Sequence, residues 1–157
     1  MVGDMTVAVL GPDDWERKRE LRLRALRESP AAFASTYERE RHYTERDWRD
    51  WPRDGIFFAA GTPEPHSIAC GWLPVREPDV ANLISMWVAP EQRGRRFAAM
   101  LIDAVVDWAH VQDRDHLELE VAAGNEAARR AYERYGFAAT SKEPFTVGGT
   151  VYSLKLR

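Results

Sequence analysis

A single cysteine, Cys70, is all the thiol chemistry available to this chain of 157 residues. One cysteine excludes an internal disulfide and fits a reducing compartment. It lies in the apolar run Ile68-Ala69-Cys70-Gly71-Trp72, where a small buried side chain is expected. An excess of positive charge is also lacking. The formal net charge is −3, which argues against a nucleic-acid partner. The arginine-rich stretch over residues 13–54 sets eleven Lys/Arg against eleven Asp/Glu, so it reads as a solvated, mixed-charge helical surface. No apolar run reaches the length of a membrane span, and Met1-Val2-Gly3-Asp4 lacks the basic and apolar regions of a signal peptide. A cytoplasmic protein with no membrane partner is expected. His42, His66, His110 and His116 show no metal-ligand spacing, and no cysteine or carboxylate cluster joins them, so no metal is expected. Repeats, low-complexity tracts and linkers are missing too. That leaves one domain over residues 1–157.

What the chain does have is material for a core. Apolar residues make up 45% and there are six tryptophans, which suits a packed globule. Residues 5–10 read as a strand stopped by Gly11-Pro12. Asp13 with Glu16 three residues on suggests a capped helix running to about Glu28. Residues 31–43 form a weaker helical or loop segment, and Thr44 with Asp47 would cap a short helix that Trp51-Pro52 ends. Strands follow at residues 56–60, 67–75 and 80–88. Phe97, Leu101, Ala104, Val105, Trp108 and Val111 recur at helical spacing. Residues 117–121 alternate apolar and acidic, as a strand with one buried face does. Ala128, Ala131, Tyr132 and Tyr135 mark a last helix closed by Gly136. Gly148-Gly149, between Phe145-Thr146-Val147 and Thr150-Val151-Tyr152, signals a two-residue hairpin.

Two patterns carry chemistry. The first, Val88-Ala89-Pro90-Glu91-Gln92-Arg93-Gly94-Arg95-Arg96-Phe97-Ala98-Ala99, is a strand end, a basic turn and a helix start. Unpaired backbone N–H groups and the positive dipole end of a helix suit a phosphate-bearing ligand. The second is Leu119-Glu120-Val121, then Asn125, Ala128, Tyr132 and Gly136-Phe137. It offers a strand carboxylate as base and a helical phenol as acid. An amine is mostly protonated at neutral pH and attacks only after losing a proton, so a base and an acid together serve acyl transfer to an amine.

In these motifs and in element order the chain resembles the GNAT family of acyl-CoA-dependent N-acetyltransferases. The second pattern is similar in spacing to bacterial ribosomal-protein N-terminal acetyltransferases. The resemblance implies an α/β (α+β) fold: a mixed, mostly antiparallel central sheet of about seven strands, flanked by helices. It implies acetyl-CoA as co-substrate and direct attack by a primary amine. Glu120 is then the general base and Tyr132 the general acid, with Glu118, which shares a strand face with Glu120, as the nearer substitute. Arg93, Gly94, Arg95, Arg96, Phe97, Ala98 and Ala99 would meet the pyrophosphate. Met86, Trp87 and Val88 would run beside the pantetheine arm, with backbone N–H near Val88 polarising the thioester carbonyl. Asn125 and Ala128 would touch the cofactor. The Trp87 side chain is expected in the core.

The family turn reads Arg/Gln-x-x-Gly-x-Gly/Ala. Arg93 and Ala98 agree with it, but Arg96 replaces the first glycine. An arginine fits there without strain if position 96 has helical φ. The acceptor, a small-molecule or protein amine, would lie against residues 26–43, 74–79 and 142–149. Phe33, Tyr37, Glu38 and Glu40 are candidates to hold it, or equally surface and core residues. A homodimer is compatible with the resemblance. The rival reading is a non-catalytic acyl-CoA-binding or scaffold protein of the same fold.

Overall fold

The apolar stripe of α4 (Phe97–Val111) has one face to bury, and it buries it against a sheet. The computed structural model describes residues 7–33, 35–62 and 64–156. Seven strands form that sheet: β1 (Val7–Val9), β2 (Gly55–Ala60), β3 (Ser67–Trp72), β4 (Val80–Trp87), β5 (His116–Val121), β6 (Ala138–Ala139) and β7 (Thr150–Lys155). Their order is β1-β2-β3-β4-β5-β7-β6, and only the β4–β5 pair is parallel. A parallel pair needs a long crossover, and α4 supplies it. Leu101, Ile102, Val105 and Ala109 of α4 pack with Ala69, Leu83, Leu117 and Leu119. Gly71 leaves room for Trp108, whose ring lies 2.3 Å from where a Cβ would stand. Helix α5 (Glu126–Tyr135) adds Tyr132 to the same core.

The other face carries α1 (Trp15–Glu28), whose Leu21 and Ala25 meet Phe57, Ile68, Cys70 and Trp87. Short α2 (Tyr37–Glu40) and α3 (Glu45–Asp50) follow. As its sequence suggests, α3 begins with a reciprocal cap: Asp47 N–H donates to Thr44 Oγ1 at 3.2 Å, and Thr44 N–H to Asp47 Oδ2 at 2.8 Å. Cys70 is wholly buried, and burial pushes its thiol pKa up.

Several expectations are corrected. Residues 5 and 6 of the first expected strand lie outside the described residues. Asp13 does not cap α1. A 3-10 turn at Pro12–Asp14 precedes the helix, and Asp14 accepts from Gly11 N–H at 2.8 Å. The hairpin at Gly148-Gly149 does not form, because the N–H groups of Phe145 and Thr146 go to the Glu120 carboxylate rather than to a strand. β7 pairs instead with the two-residue β6, and residues 140–149 make a long loop.

Nor is the stretch 13–54 wholly solvated, since Lys18, Arg22 and Glu40 are buried. Lys18 Nζ donates to the carbonyls of Arg49 and Trp51 at 3.2 and 2.8 Å. Arg22 and Glu40, 5% and 2% exposed, form a two-point pair with both bonds at 2.9 Å. The Arg22 guanidinium lies 4.9 Å from the ring centres of both Phe33 and Trp51. Removing one member strands a buried charge. Glu40→Ala is expected to lower unfolding free energy by about 3–5 kcal/mol, whereas the double variant Arg22→Met/Glu40→Leu should lose far less. Urea unfolding of the three proteins checks this, and a double variant as weak as the single would contradict it.

Candidate active site

The site begins with a defect in β4. Along β3, Ile68 and Cys70 are two residues apart, but their partners Trp87 and Ile84 are three apart. The extra residue is absorbed by a bulge in which Ser85 takes φ +59°. Bulges bend and twist the strand that carries them. β4 pairs with β5 only through Val80–Asn82 opposite His116–Glu118. Beyond Asn82 and Glu118 the two strands part, although both continue. Ser85 is fixed from outside the sheet, since Arg22 Nη1 donates to its Oγ at 2.8 Å.

A cleft of about 730 Å³ occupies the parting. Leu83, Ser85 and Met86 line it from β4, Leu119, Glu120 and Val121 from β5, and Ala128 and Tyr132 from α5, with Asn125 just before that helix. Arg22, Phe33, Glu40 and Trp51 close it on the α1 side, and Phe145–Val147 on the loop side. Of the residues singled out in the sequence, Glu120, Tyr132, Met86, Asn125 and Ala128 therefore share one space. Trp87 turns into the opposite core, where its indole N–H reaches Ser29 Oγ at 3.2 Å. Val88 and residues 93–99 lie outside the cleft wall, on the segment linking β4 to α4 and on the first turn of α4. Glu118 faces a neighbouring cavity instead, with Oε1 2.6 Å from Lys142 Nζ.

Glu120 is engaged with the 145–149 loop. Oε1 accepts from Phe145 N–H at 2.6 Å, and Oε2 from Thr146 N–H at 2.9 Å and Thr146 Oγ1 at 2.5 Å. Gly149 permits this close seat, because a Cβ there would stand 3.0 Å from Oε2. Burial, the largest single influence, pushes the carboxyl pKa up. The bonds from the Thr146 hydroxyl and the two N–H groups together outweigh it and hold the group below its ordinary value. An ionised carboxylate offers about four acceptor positions, so one is left on Oε1. Tyr132 is the opposite case. Its ring is buried edge-on to Phe137, 5.7 Å between centres, and burial pushes its phenol pKa up. It stays protonated and able to donate. Asn125 caps α5 by accepting from Ala128 N–H at 3.3 Å. Both oxygens of Glu40 accept from Arg22, so the charge of this carboxylate is already paired.

In the basic turn, Gly94 and Arg96 have φ of +77° and +70°. The condition under which an arginine fits without strain is therefore not met: Arg96 is left-handed, as the N-cap residue of α4. An L-residue there costs roughly 1–2 kcal/mol, because Cβ crowds the following carbonyl. Among the described residues, the first backbone N–H of this helix start to find a backbone partner is that of Met100, which bonds the Arg96 carbonyl at 3.1 Å. Arg93 Nε is held by the Val88 carbonyl at 3.1 Å, and the Arg95 guanidinium lies 5.4 Å from the Phe97 ring centre.

Two residues stand out that the sequence did not flag. Arg22 is four positions from Lys18 and four from Leu26, so helical spacing alone would have put it on the buried face. Ser85 carries no such signal, since bulges usually advertise themselves with glycine.

Comparison with known proteins bears on the family and the fold. Residues 21–137 match the acetyltransferase (GNAT) family. The chain belongs to that family, and its fold is the one that family's solved structures share. An uncharacterized N-acetyltransferase from Methanocaldococcus jannaschii is 26% identical over 149 residues, covering 87% of this chain. The chain spans 62% of the length of that relative. The Salmonella typhimurium protein yncA, solved with acetyl-CoA, has the same fold at a TM-score of 0.74 and 16% identity, covering 98% of this chain and 95% of its own. The GNAT domain of S. lividans PAT superposes at 0.76 with 18% identity over 96% and 89%. The ribosomal-protein-S18-alanine N-acetyltransferase of Escherichia coli superposes at 0.65 with 20% identity over 96% and 93%. Among the described residues no helix is long and apolar enough to cross a membrane, and no His, Cys, Asp or Glu group could hold a metal ion.

Arg96→Gly is expected to raise unfolding free energy by about 1 kcal/mol, the relieved strain being partly offset by glycine's greater freedom in the unfolded chain. Chemical denaturation reads this directly, and a loss of stability would show that the arginine makes compensating contacts.

The depressed pKa of Glu120 has a signed consequence. Its bonds to the loop are complete above the ordinary carboxylate pKa and are lost as pH falls through the lower, folded value. The Thr146 amide resonance should follow that titration, with a midpoint below the ordinary carboxylate value, and the step should vanish in Glu120→Gln. A midpoint at or above the ordinary value would contradict the latch.

Proposed function

We propose that this chain is an acetyl-CoA-dependent N-acetyltransferase in which a primary amine attacks the bound thioester directly. One observation carries the reading. The parting of β4 from β5 brings an ionised carboxylate, Glu120, and a protonated phenol, Tyr132, into one cleft. The residues present fit acetyl-CoA, which supplies the activated acetyl group. The backbone of β4 beyond Asn82 has no β5 partner and can pair with a peptide-like arm at Met86, Trp87 and Val88. The α4 start offers the N–H groups of Phe97, Ala98 and Ala99, beside Arg93, Gly94, Arg95 and Arg96, to phosphate oxygens. Asn125 and Ala128 form the opposite wall.

In this reading Glu120 keeps its loop bonds and uses the remaining position on Oε1 to accept a proton from the incoming ammonium. Three hydrogen bonds make it a weaker base than an unencumbered carboxylate. Tyr132 donates to the departing sulfur, a role that its raised pKa preserves at neutral pH. Backbone N–H near Val88 polarises the acyl carbonyl. A single, buried cysteine suits a reducing compartment, and we place the protein in the cytoplasm.

Tyr132→Phe should lower turnover by roughly 10²–10⁴-fold with acetyl-CoA affinity nearly unchanged, and raising the pH should not restore it. Glu120→Gln should also lower turnover, but with partial recovery at high pH, where more of the amine is already neutral. Release of CoA thiol across a pH series with any working amine gives both answers. Full activity in Tyr132→Phe would sink the acid assignment, and unchanged turnover in Glu120→Gln would move the base elsewhere.

A further inference from the structure

Beside the cleft lies a second cavity of about 380 Å³ that the chemistry above does not use. Trp72, Pro74, Val75, Phe145 and Val151 supply its apolar walls. It shares Leu119, Glu120 and Phe145 with the main cleft, so the two spaces meet at the proposed base. Lys142 bridges Glu77 and Glu118, which ties the 73–79 turn to the 140–149 loop and uses up the lysine charge. An extended chain running through would have to break that bridge. The bridge therefore limits the occupant to something compact.

Two features say what belongs there. Val75 is 86% exposed and Phe145 88% exposed. Apolar side chains from two loops thus stand in water around one hollow, where a ligand would cover them. The charged residues lining this second cavity are Glu77, Glu118, Glu120 and Glu143 against Arg76 and Lys142. This balance favours a cation over an anion.

We infer that the acceptor is a small primary amine bearing a compact apolar group, with the ammonium at Glu120 and the apolar group among Trp72, Val75 and Phe145. The inference rests on the acetyl-transfer reading and narrows its substrate class. A hydrophobic pocket of this kind discriminates by roughly 10–200-fold per apolar increment.

The test is CoA thiol release with 2-phenylethylamine, with 2-aminoethanol, and with a short peptide beginning in phenylalanine. The expected kcat/KM for 2-phenylethylamine is at least about tenfold above that for 2-aminoethanol. Val75→Asn, at an exposed position, should raise KM for 2-phenylethylamine several-fold more than KM for 2-aminoethanol, with the KM for acetyl-CoA unmoved. Phe145→Ala should raise KM for 2-phenylethylamine further. Equal use of the two small amines, or no response to Val75→Asn, would overturn the pocket assignment while acetyl transfer itself stood. Turnover confined to the peptide would overturn the small-amine assignment. Thiol release with none of the three would overturn the acetyl-transfer reading, and this inference with it.

Discussion

The site depends on one constraint, the register error that β4 carries at Ser85. A regular β4 would stay in ladder with β5, and the sheet would close over the space where the cleft now lies. The bulge turns the strand away and leaves its far half without a partner on that side. A serine at φ +59° is not at rest, and its hydroxyl is held by Arg22. That arginine is itself held by Glu40 and lies against Phe33 and Trp51. The buried ion pair is a poor source of net stability, because desolvation offsets most of its attraction. What it gives is placement. It ties α1, α2 and the bulge to one another at the mouth of the cleft.

Glu120 shows how structure and the proposed chemistry would make opposite demands on one group. Each hydrogen bond that seats the 145–149 loop also stabilises the carboxylate and weakens it as a base. A structural latch wants a low pKa, whereas a base at neutral pH wants a higher one. Burial pushes upward here and three bonds pull downward, and the bonds win. The loop they hold carries Phe145 and Thr146 into the cleft wall. In the proposed mechanism, acceptor-side geometry and proton transfer would thus be coupled through a single side chain.

Much of the fold was legible because it rests on periodicity. The stripe of α4, the alternation of β5, and the Thr44–Asp47 cap are local patterns, and they stand where the residues imply, save that Val111 at the end of the stripe is 80% exposed. What could not be read was long-range. Phe145-Thr146-Val147 has good strand composition beside a good turn, yet its N–H groups answer to a carboxylate 25 residues earlier. Lys18, Arg22 and Glu40 look like solvent charges until their partners arrive from distant segments. The proposed base and acid were visible as a spacing, but the near-saturation of Glu120 was not. Spacing fixes which face a residue occupies and says nothing of how many hydrogen bonds it accepts.

Arg96 is the clearest instance of that limit. The sequence shows a glycine position filled by arginine, but not its φ. With φ +70°, the left-handed conformation is required and arginine bears its cost. Of the three arginines in the turn, Arg93 is spent on the Val88 carbonyl and Arg95 lies over Phe97. Among the described residues the Arg96 guanidinium has no such engagement. Strain of this kind persists where surrounding structure enforces it, and it gathers at ligand clamps. The turn therefore trades a relaxed backbone for an uncommitted cation beside open helix N–H groups. In the free protein that trade is a pure loss. An anion bound at the proposed pyrophosphate turn would recover it, setting the cost of the turn in the free protein against a benefit in the complex.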